Sequence, residues 1–319
     1  MMTSPMCSRL PHALVWALAI VVFPPAIQGQ VVLKPKLQPK TTRLYNSETN
    51  TKQILTLAGM DVETRATQFT ITEETLGARG ADGTLRLLET IRKLQQEITL
   101  PGFTVTFDSS NPGKKAPLPQ LEPMLDLLRA ISKAKTTLVH NKLDQVIKVE
   151  GINELIKGLD PAVRKNFSTQ FAPEIVLSRW KNRNQRIPSK PVRIGDKWEH
   201  TSVMDLEAGQ KIKIKRSYSY TGTVKEGPNT LHRITSRSLE ATLSQDAPEG
   251  SPTKITASKL KVAKGAGEIL VDLEHGIIYS DSDTTRMTGT LTLEVNGMTL
   301  DGRLDLTIAI NRKVDSPQK

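Results

Sequence analysis

The sequence predicts an α+β fold that is mostly β, a curved antiparallel sheet with a helical middle segment packed on it. Three observations carry this expectation. In "KIKIKRSYSYTGTV", Ile212, Ile214, Tyr218 and Tyr220 share one parity while Lys211, Lys213, Lys215, Ser217, Ser219 and Thr221 share the other, the alternation of a half-buried strand. Turn chemistry recurs through the last third of the chain, at Gly227-Pro228-Asn229, Glu249-Gly250-Ser251-Pro252, Glu274-His275-Gly276, Asn296-Gly297 and Asp301-Gly302. One stretch, "LPQLEPMLDLLRAISKA", sets Leu121, Met124, Leu125, Leu128 and Ile131 on a single helical stripe.

The chain opens on Arg9 and an apolar run, Ala13 to Phe23, closed by Pro24 and Pro25. The run is short of the roughly 20 apolar residues that span a bilayer, and the small Gly29 precedes Gln30, so residues 1–29 read as a signal peptide. The mature chain is expected to be exported, to the periplasm or the medium, without a transmembrane segment. Cys7, the single cysteine, lies before the apolar run; it is not placed as a lipid acceptor, and the mature chain has no disulfide framework or thiol nucleophile.

Residues 30–43, with Lys34, Lys36, Lys40 and Arg43 and no acid, read as an extended basic leader. A single β-rich domain follows over 44–315, and 316–319 form a tail. Within it, 44–150 hold a first strand group with a helix, 151–190 a helical middle and 191–315 a second antiparallel meander. In the first group "TRLYNSETNTKQILTLAGMDVETRATQFTITEET" reads as a hairpin about Gly59. Residues 84–99 are ambiguous: Leu85, Leu88, Ile91, Leu94 and Ile98 have helical spacing, yet Asp82-Gly83 and Pro101-Gly102 are turn signals on either side. A short echo between "DGTLR" and "PNTLHR" aligns this stretch with strand-like sequence in the second half, and a strand is expected. "TTLVHNKLDQVIKVEG" reads as a hairpin, and short helices fill the middle until Pro188 and Pro191 stop them. The meander then runs from Lys197.

The stretch "RIGDKWEHTSV" packs the most reactive groups into the fewest residues. If a strand starts at Lys197, Trp198 and His200 face one way and Glu199 the other, so the neighbours Glu199 and His200 form no dyad. The other chemistry tests fail on spacing. No histidine pair is four apart, "SRWK" at Ser178 lacks the companions of a serine–lysine hydrolase, "DSDTTRMTG" lacks the glycine of a calcium loop, and "GARGADG" has no phosphate-loop lysine. No catalytic residue, metal ligand or cofactor is expected.

Two sets of residues remain as candidates. Trp180, Trp198, Tyr218 and Tyr220 cluster between the helical middle and the meander; they are either core or the lining of a pocket between sheet and helices. Arg179, Lys181, Arg183, Arg186 and Lys190 form a basic run that reads as a solvated face or as a surface for an anionic polymer or lipid headgroup. The formal net charge is +11, and cleavage would remove only Arg9 from that balance. Nucleic acid is not the expected partner, because export separates the chain from it and aromatics at 4% are too few for a stacking platform.

With its "DGT", "FDSS", "VIKVEGINEL", "GDKWEH" and "DLEHGII" segments, the chain resembles uncharacterised exported bacterial proteins grouped as a domain of unknown function. That resemblance implies no catalytic residues. The element order has a looser likeness to periplasmic lipoprotein carriers, which implies a curved sheet around an apolar cavity. The expected function is a non-enzymatic exported protein that binds an apolar or amphiphilic ligand between sheet and helices. The alternative is a structural protein contacting anionic envelope or matrix polymer through its basic surface. A hydrolase assembled from distant residues comes third.

Overall fold

The computed structural model describes residues 29–161, 163–164, 171–205, 210–245, 253–295 and 297–315. The expected signal peptide therefore lies outside the described residues, apart from Gly29. So do the 316–319 tail and the Glu249-Gly250-Ser251-Pro252 turn.

Twelve strands join in one antiparallel sheet. They are β1 (Thr42–Leu57), β2 (Met60–Leu76), β3 (Leu85–Leu100), β4 (Phe103–Asp108), β5 (Lys135–His140), β6 (Val146–Glu150), β7 (Lys197–Asp205), β8 (Gln210–Glu226), β9 (Asn229–Gln245), β10 (Thr253–Asp272), β11 (Ile277–Val295) and β12 (Met298–Asp315). Across the sheet the order is β6-β5-β3-β2-β1-β12-β11-β10-β9-β8-β7, with β4 beside the far half of β3. The first strand of the chain thus pairs with the last, Leu44 opposite Asp315 and Leu57 opposite Gly302. Among the described residues helices are few, the longest being α1 (Glu122–Lys133), α2 (Ile152–Lys157) and α3 (Pro173–Asn184). The sheet dominates, and the expected helical middle amounts to short pieces rather than a layer.

Local chemistry accounts for the hairpins. Ala58 and Gly59 both adopt positive φ, the two-residue turn whose twist matches the flanking strands. Residues 84–99 form a strand, and burial shows why the helical spacing misleads. Leu85, Leu87 and Leu94 are buried while Leu88, on the supposed helical stripe, is exposed. The Leu121–Ile131 stripe does form α1, which packs Leu125 and Leu128 on Leu94, Val105 and Phe107 of β3 and β4. Asp301-Gly302, expected as a turn, instead lies inside β12; Gly297 alone carries positive φ between β11 and β12, with Asn296 outside the described residues. The segments "TKITASKLKV" and "GEILVDL" belong to one strand, β10.

The sheet is open, with β6 and β7 as its edges, and α3 lies between them. Trp180, Val176 and Leu177 of α3 pack into the cluster of Leu76, Leu85, Leu87, Leu138 and Val149 on the β6 side. Toward the other edge, Asn182 donates from Nδ2 to the Thr201 carbonyl (3.1 Å) and accepts from the Val203 N–H (3.4 Å). These bonds occupy backbone groups of edge strand β7 that would otherwise be open to pairing with another chain.

The leader is extended, as expected, and it is anchored to the sheet. Val31 and Val192 exchange both backbone hydrogen bonds at 2.9 Å. Leu33 is fully buried with Tyr218, Ile234 and Val271, and Leu37 reaches the cluster beneath α3. The leader therefore runs beneath the open side of the sheet and closes part of it.

Candidate functional site

Strand parity decides what faces inward. In β7, Trp198 pairs with Tyr218 and His200 with Arg216, so both point to the concave side. Glu199 points out, where its carboxylate meets Lys215 at 2.9 Å. The "GDKWEH" stretch is a strand entrance, and Glu199 and His200 are not partners. Trp198 stacks on Tyr218 with ring centroids 6.0 Å apart and 11° between planes, and its Nε1 donates to the Arg186 carbonyl at 2.8 Å. Tyr220 lies in the same cluster, its hydroxyl 2.8 Å from His232 Nδ1.

Beyond Tyr218, toward the middle of the strands, the concave face changes character. A belt of polar and charged side chains crosses it, between the aromatic cluster and an aliphatic one built on Ile212, Ile214, Met287, Leu304 and Leu306. Arg216 clamps Asp283 through two hydrogen bonds (3.0 and 2.7 Å), and Arg186 clamps Asp281 in the same way (3.2 and 2.7 Å). Arg312 Nη2 donates to Glu74 at 2.6 Å, and the Arg312 guanidinium sits 3.8 Å from the Tyr45 ring centroid. Planar two-point contacts of this kind fix side-chain orientation as well as charge. Burial pushes the Asp281 carboxyl up, but the Arg186 guanidinium more than offsets this and holds it below the usual carboxylate range.

This belt walls a chamber of about 430 Å³, to which nine strands and α3 contribute side chains. A sheet can bring β1, β2 and β3 to the same space as β7, β8 and β9 only by curling strongly on itself, with α3 across the gap. Ser47, Thr49, Thr70 and Thr72 supply hydroxyls from β1 and β2. The lining holds five arginines, Arg179, Arg183, Arg186, Arg216 and Arg312, against the three carboxylates Glu89, Asp281 and Asp283. Glu89 is itself raised to about 7, by burial and then by the nearby Glu74 charge, with Arg312 and Arg183 opposing. The chamber is therefore cationic at neutral pH.

A second cavity of about 110 Å³ adjoins the first, sharing Arg183 and Arg312 in its wall. Its lining is mixed, with Leu37, Leu87, Leu138, Trp180, Ile187 and Ile277 beside Arg43, Glu74, His140 and Asp144.

The candidate residues separate accordingly. Of the four aromatics, Trp180 lines the smaller cavity and Tyr218 the larger, while Trp198 and Tyr220 are core residues that line neither. Of the five bases expected on a surface, Lys181 and Lys190 are exposed. Arg179 lines the chamber, Arg186 is part-buried against Asp281, and Arg183 lines both cavities. The run forms no single solvated face, because α3 turns one side toward the sheet. Sequence reasoning missed Arg43, Glu74, Glu89, His140, Asp281 and Arg312. One signal was present in the strand that best predicted the fold: Arg216 occupies the inward parity of Ile212, Ile214, Tyr218 and Tyr220.

Fold and site together define a class: a curled, open antiparallel sheet whose edges are bridged by a helix over a polar, cationic chamber. The family follows from the sequence itself. The chain belongs to the family of unknown function DUF6263, whose model matches residues 82–278. No curated protein matches the chain. Among solved structures it is similar to one described as lipid–protein interactions in lipovitellin, at 8% identity and TM-score 0.39 over 89% of this chain and 26% of that one. The chain thus spans about a quarter of the lipovitellin chain it matches. It is also similar to Pseudomonas aeruginosa OccK5 (OpdH), at 8% identity and TM-score 0.24 over 88% of this chain and 100% of that one. A DUF1329 family protein from Desulfovibrio piger matches at 7% identity and TM-score 0.14, over 86% of this chain and 87% of that one. Scores of this size carry no argument about ligand or activity. Among the described residues no helix is long and apolar enough to cross a membrane, and no acid, histidine and cysteine grouping suits a metal ion.

Proposed function

We propose that the protein is an exported, non-enzymatic binding protein that holds an amphiphilic ligand in the chamber between the curled sheet and α3. The observation that carries this reading is the concave, mixed-lining space under α3. Small-molecule sites are concave clefts, and here two adjoining clefts of about 430 and 110 Å³, each partly open to solvent, lie under one helix. Hydroxyls and arginines line the larger one, and leucine, isoleucine and tryptophan side chains wall much of the smaller. This mixture favours an amphiphile carrying an acidic group over a purely apolar ligand. The non-enzymatic part of the reading draws on the positions of two histidine pairs. His232 with Tyr220 and His275 with Asp272 (2.8 Å) contribute to the lining of neither cavity.

The alternative, contact with an anionic polymer through surface bases, loses support because Arg179, Arg183 and Arg186 face the interior, leaving Lys181 and Lys190 exposed from that run. The deciding experiment is native mass spectrometry of protein purified from its own host without detergent. A bound acidic amphiphile at near one-to-one occupancy is expected. Protein that is always ligand-free, and that fails to take up dodecyl phosphate or dodecanoate in calorimetry, would sink the reading.

A further inference from the structure

The smaller cavity holds more hydrogen-bond donors than the protein itself satisfies. Arg43 is 6% exposed and lies beside the Tyr45 hydroxyl, yet its Nη1 reaches the Gly276 carbonyl only at 3.5 Å and its buried Nη2 has no partner. His140 is 4% exposed, and its Nδ1 is also buried without a partner. Arg183 makes no side-chain hydrogen bond or ion pair among the described residues; its guanidinium lies 5.5 Å from the Trp180 ring centroid. Buried polar groups are nearly always paired, because leaving one unpaired forfeits its hydration with nothing in exchange. Two buried unpaired nitrogens and the part-buried, unpaired guanidinium of Arg183 thus face one cavity, where an acceptor would satisfy them.

The carboxylates in the same wall do not fill that role. Glu74 is engaged by Arg312 at 2.6 Å, and Asp144 by Arg79 at 2.6 Å and by the Leu37 N–H at 3.2 Å. Lys34 is occupied with the Leu143 carbonyl at 3.2 Å. With these pairs formed, the guanidinium charges of Arg43 and Arg183 are left over. The Arg183 guanidinium is pushed down to about 10, first by the like charge of Arg312 and then by burial, the condition that a bound anion relieves.

We propose that this cavity is an oxyanion site, in which Arg43 and Arg183 grip a phosphate or carboxylate group beside the buried imidazole of His140. A space of about 110 Å³ holds several waters, or one tetrahedral oxyanion. Arginine suits the task, since its planar fork meets two oxygens of one group. The inference deepens the proposed function and rests on it for the remainder of the ligand: the acidic end sits on Arg43 and Arg183, and the body extends past Arg183 into the larger chamber.

The test is isothermal titration calorimetry on the full mature chain with inorganic phosphate and, separately, dodecyl phosphate. Both are measured against wild type, Arg183→Gln and Arg43→Gln. Arg183 is only part-buried on a helix, so its variant keeps the test valid even if Arg43→Gln unfolds the protein. Both probes are expected to bind wild type, dodecyl phosphate more tightly, and each variant that folds should lose about tenfold or more in affinity, as removal of a charge-assisted contact does. Binding of inorganic phosphate without dodecyl phosphate, still lost in Arg183→Gln, would support the oxyanion site, assign it to free phosphate and count against the amphiphile. Dodecyl phosphate bound equally well by wild type and both variants would keep the amphiphile reading and overturn the oxyanion site. No binding of either probe overturns both.

Discussion

Trp198 and Glu199 are neighbours in sequence and opposites in space, and the difference sets what each contributes. Trp198 gives one face to Tyr218 and its N–H to the Arg186 carbonyl, tying β7 to the residues just after α3. Trp198→Ala should cost about 3 kcal/mol, as removal of a packed large aromatic does. Glu199→Gln should change stability by under about 0.5 kcal/mol, since its pair with Lys215 is solvated. Urea unfolding of the two variants checks the contrast; equal effects would mean that the parity is wrong. Glu89 makes a second prediction with a definite sign. Its carboxyl keeps its proton to about pH 7 in the folded chamber but loses it near 4.5 when unfolded. Between those values the folded state binds more protons, so this residue's contribution to stability falls as pH rises through the window. Glu89→Gln should therefore be more stable than wild type at pH 8, with the difference shrinking toward pH 4. A difference that is the same at both pH values would show that Glu89 does not titrate there. None of this was legible from the residue alone. A glutamate in a strand reads as a wet-face residue, and only the pairing of Glu89 with Glu74 across β2 and β3 places both on the inside.

Elements were more legible than sites, because strand and helix periods are local whereas the cavity is not. The alternation about Tyr218 predicted β8, and the Leu121–Ile131 stripe predicted α1, each from side chains a few positions apart. The leader was read as an extended basic segment because four bases and no acid fall in a short stretch. In the structure Leu33 and Leu37 are its anchors; Lys36 and Lys40 are exposed, Lys34 bonds the Leu143 carbonyl, and Arg43 is buried in the wall of the smaller cavity. Gly276 shows how closely the leader is held. It adopts φ +64° in the turn from β10 to β11, and a Cβ there would lie 1.8 Å from the Lys36 carbonyl oxygen. Gly276→Ala must either move that turn or lift the leader. It should destabilise by about 1–3 kcal/mol, a cost typical of a forced backbone conformation. The leader should also become more open to protease. Limited proteolysis read by N-terminal sequencing gives the measurement, and unchanged cleavage together with unchanged stability would mean that the leader is not seated there.

At the scale of the whole molecule, the organising contact is the pairing of β1 with β12, which no local pattern foretells because it joins Leu44 to Asp315. Contacts of such sequence separation close late in folding, since the loop entropy is lost before the pairing rewards it. Their position matters as much as their length. The family match over residues 82–278 takes in β3 to β10 and stops two residues into β11. It omits β1, β2 and β12 and almost all of β11, which stand side by side as β2-β1-β12-β11 in the centre of the sheet. What remains falls into two groups with no strand between them, β6-β5-β3 with β4 on one side and β10-β9-β8-β7 on the other. The inward-facing Arg312, Asp281 and Asp283 also belong to the omitted part, so the chamber would lose one wall. A protein made of residues 82–278 alone should therefore show no cooperative unfolding transition, whereas residues 29–315 should unfold in a single one, because every strand lies in one continuous ladder. Thermal unfolding followed by near-ultraviolet circular dichroism distinguishes the two. A sharp transition in the shorter chain would mean that its two strand groups meet without the central four, and the sheet order from β6 to β7 would have to be abandoned.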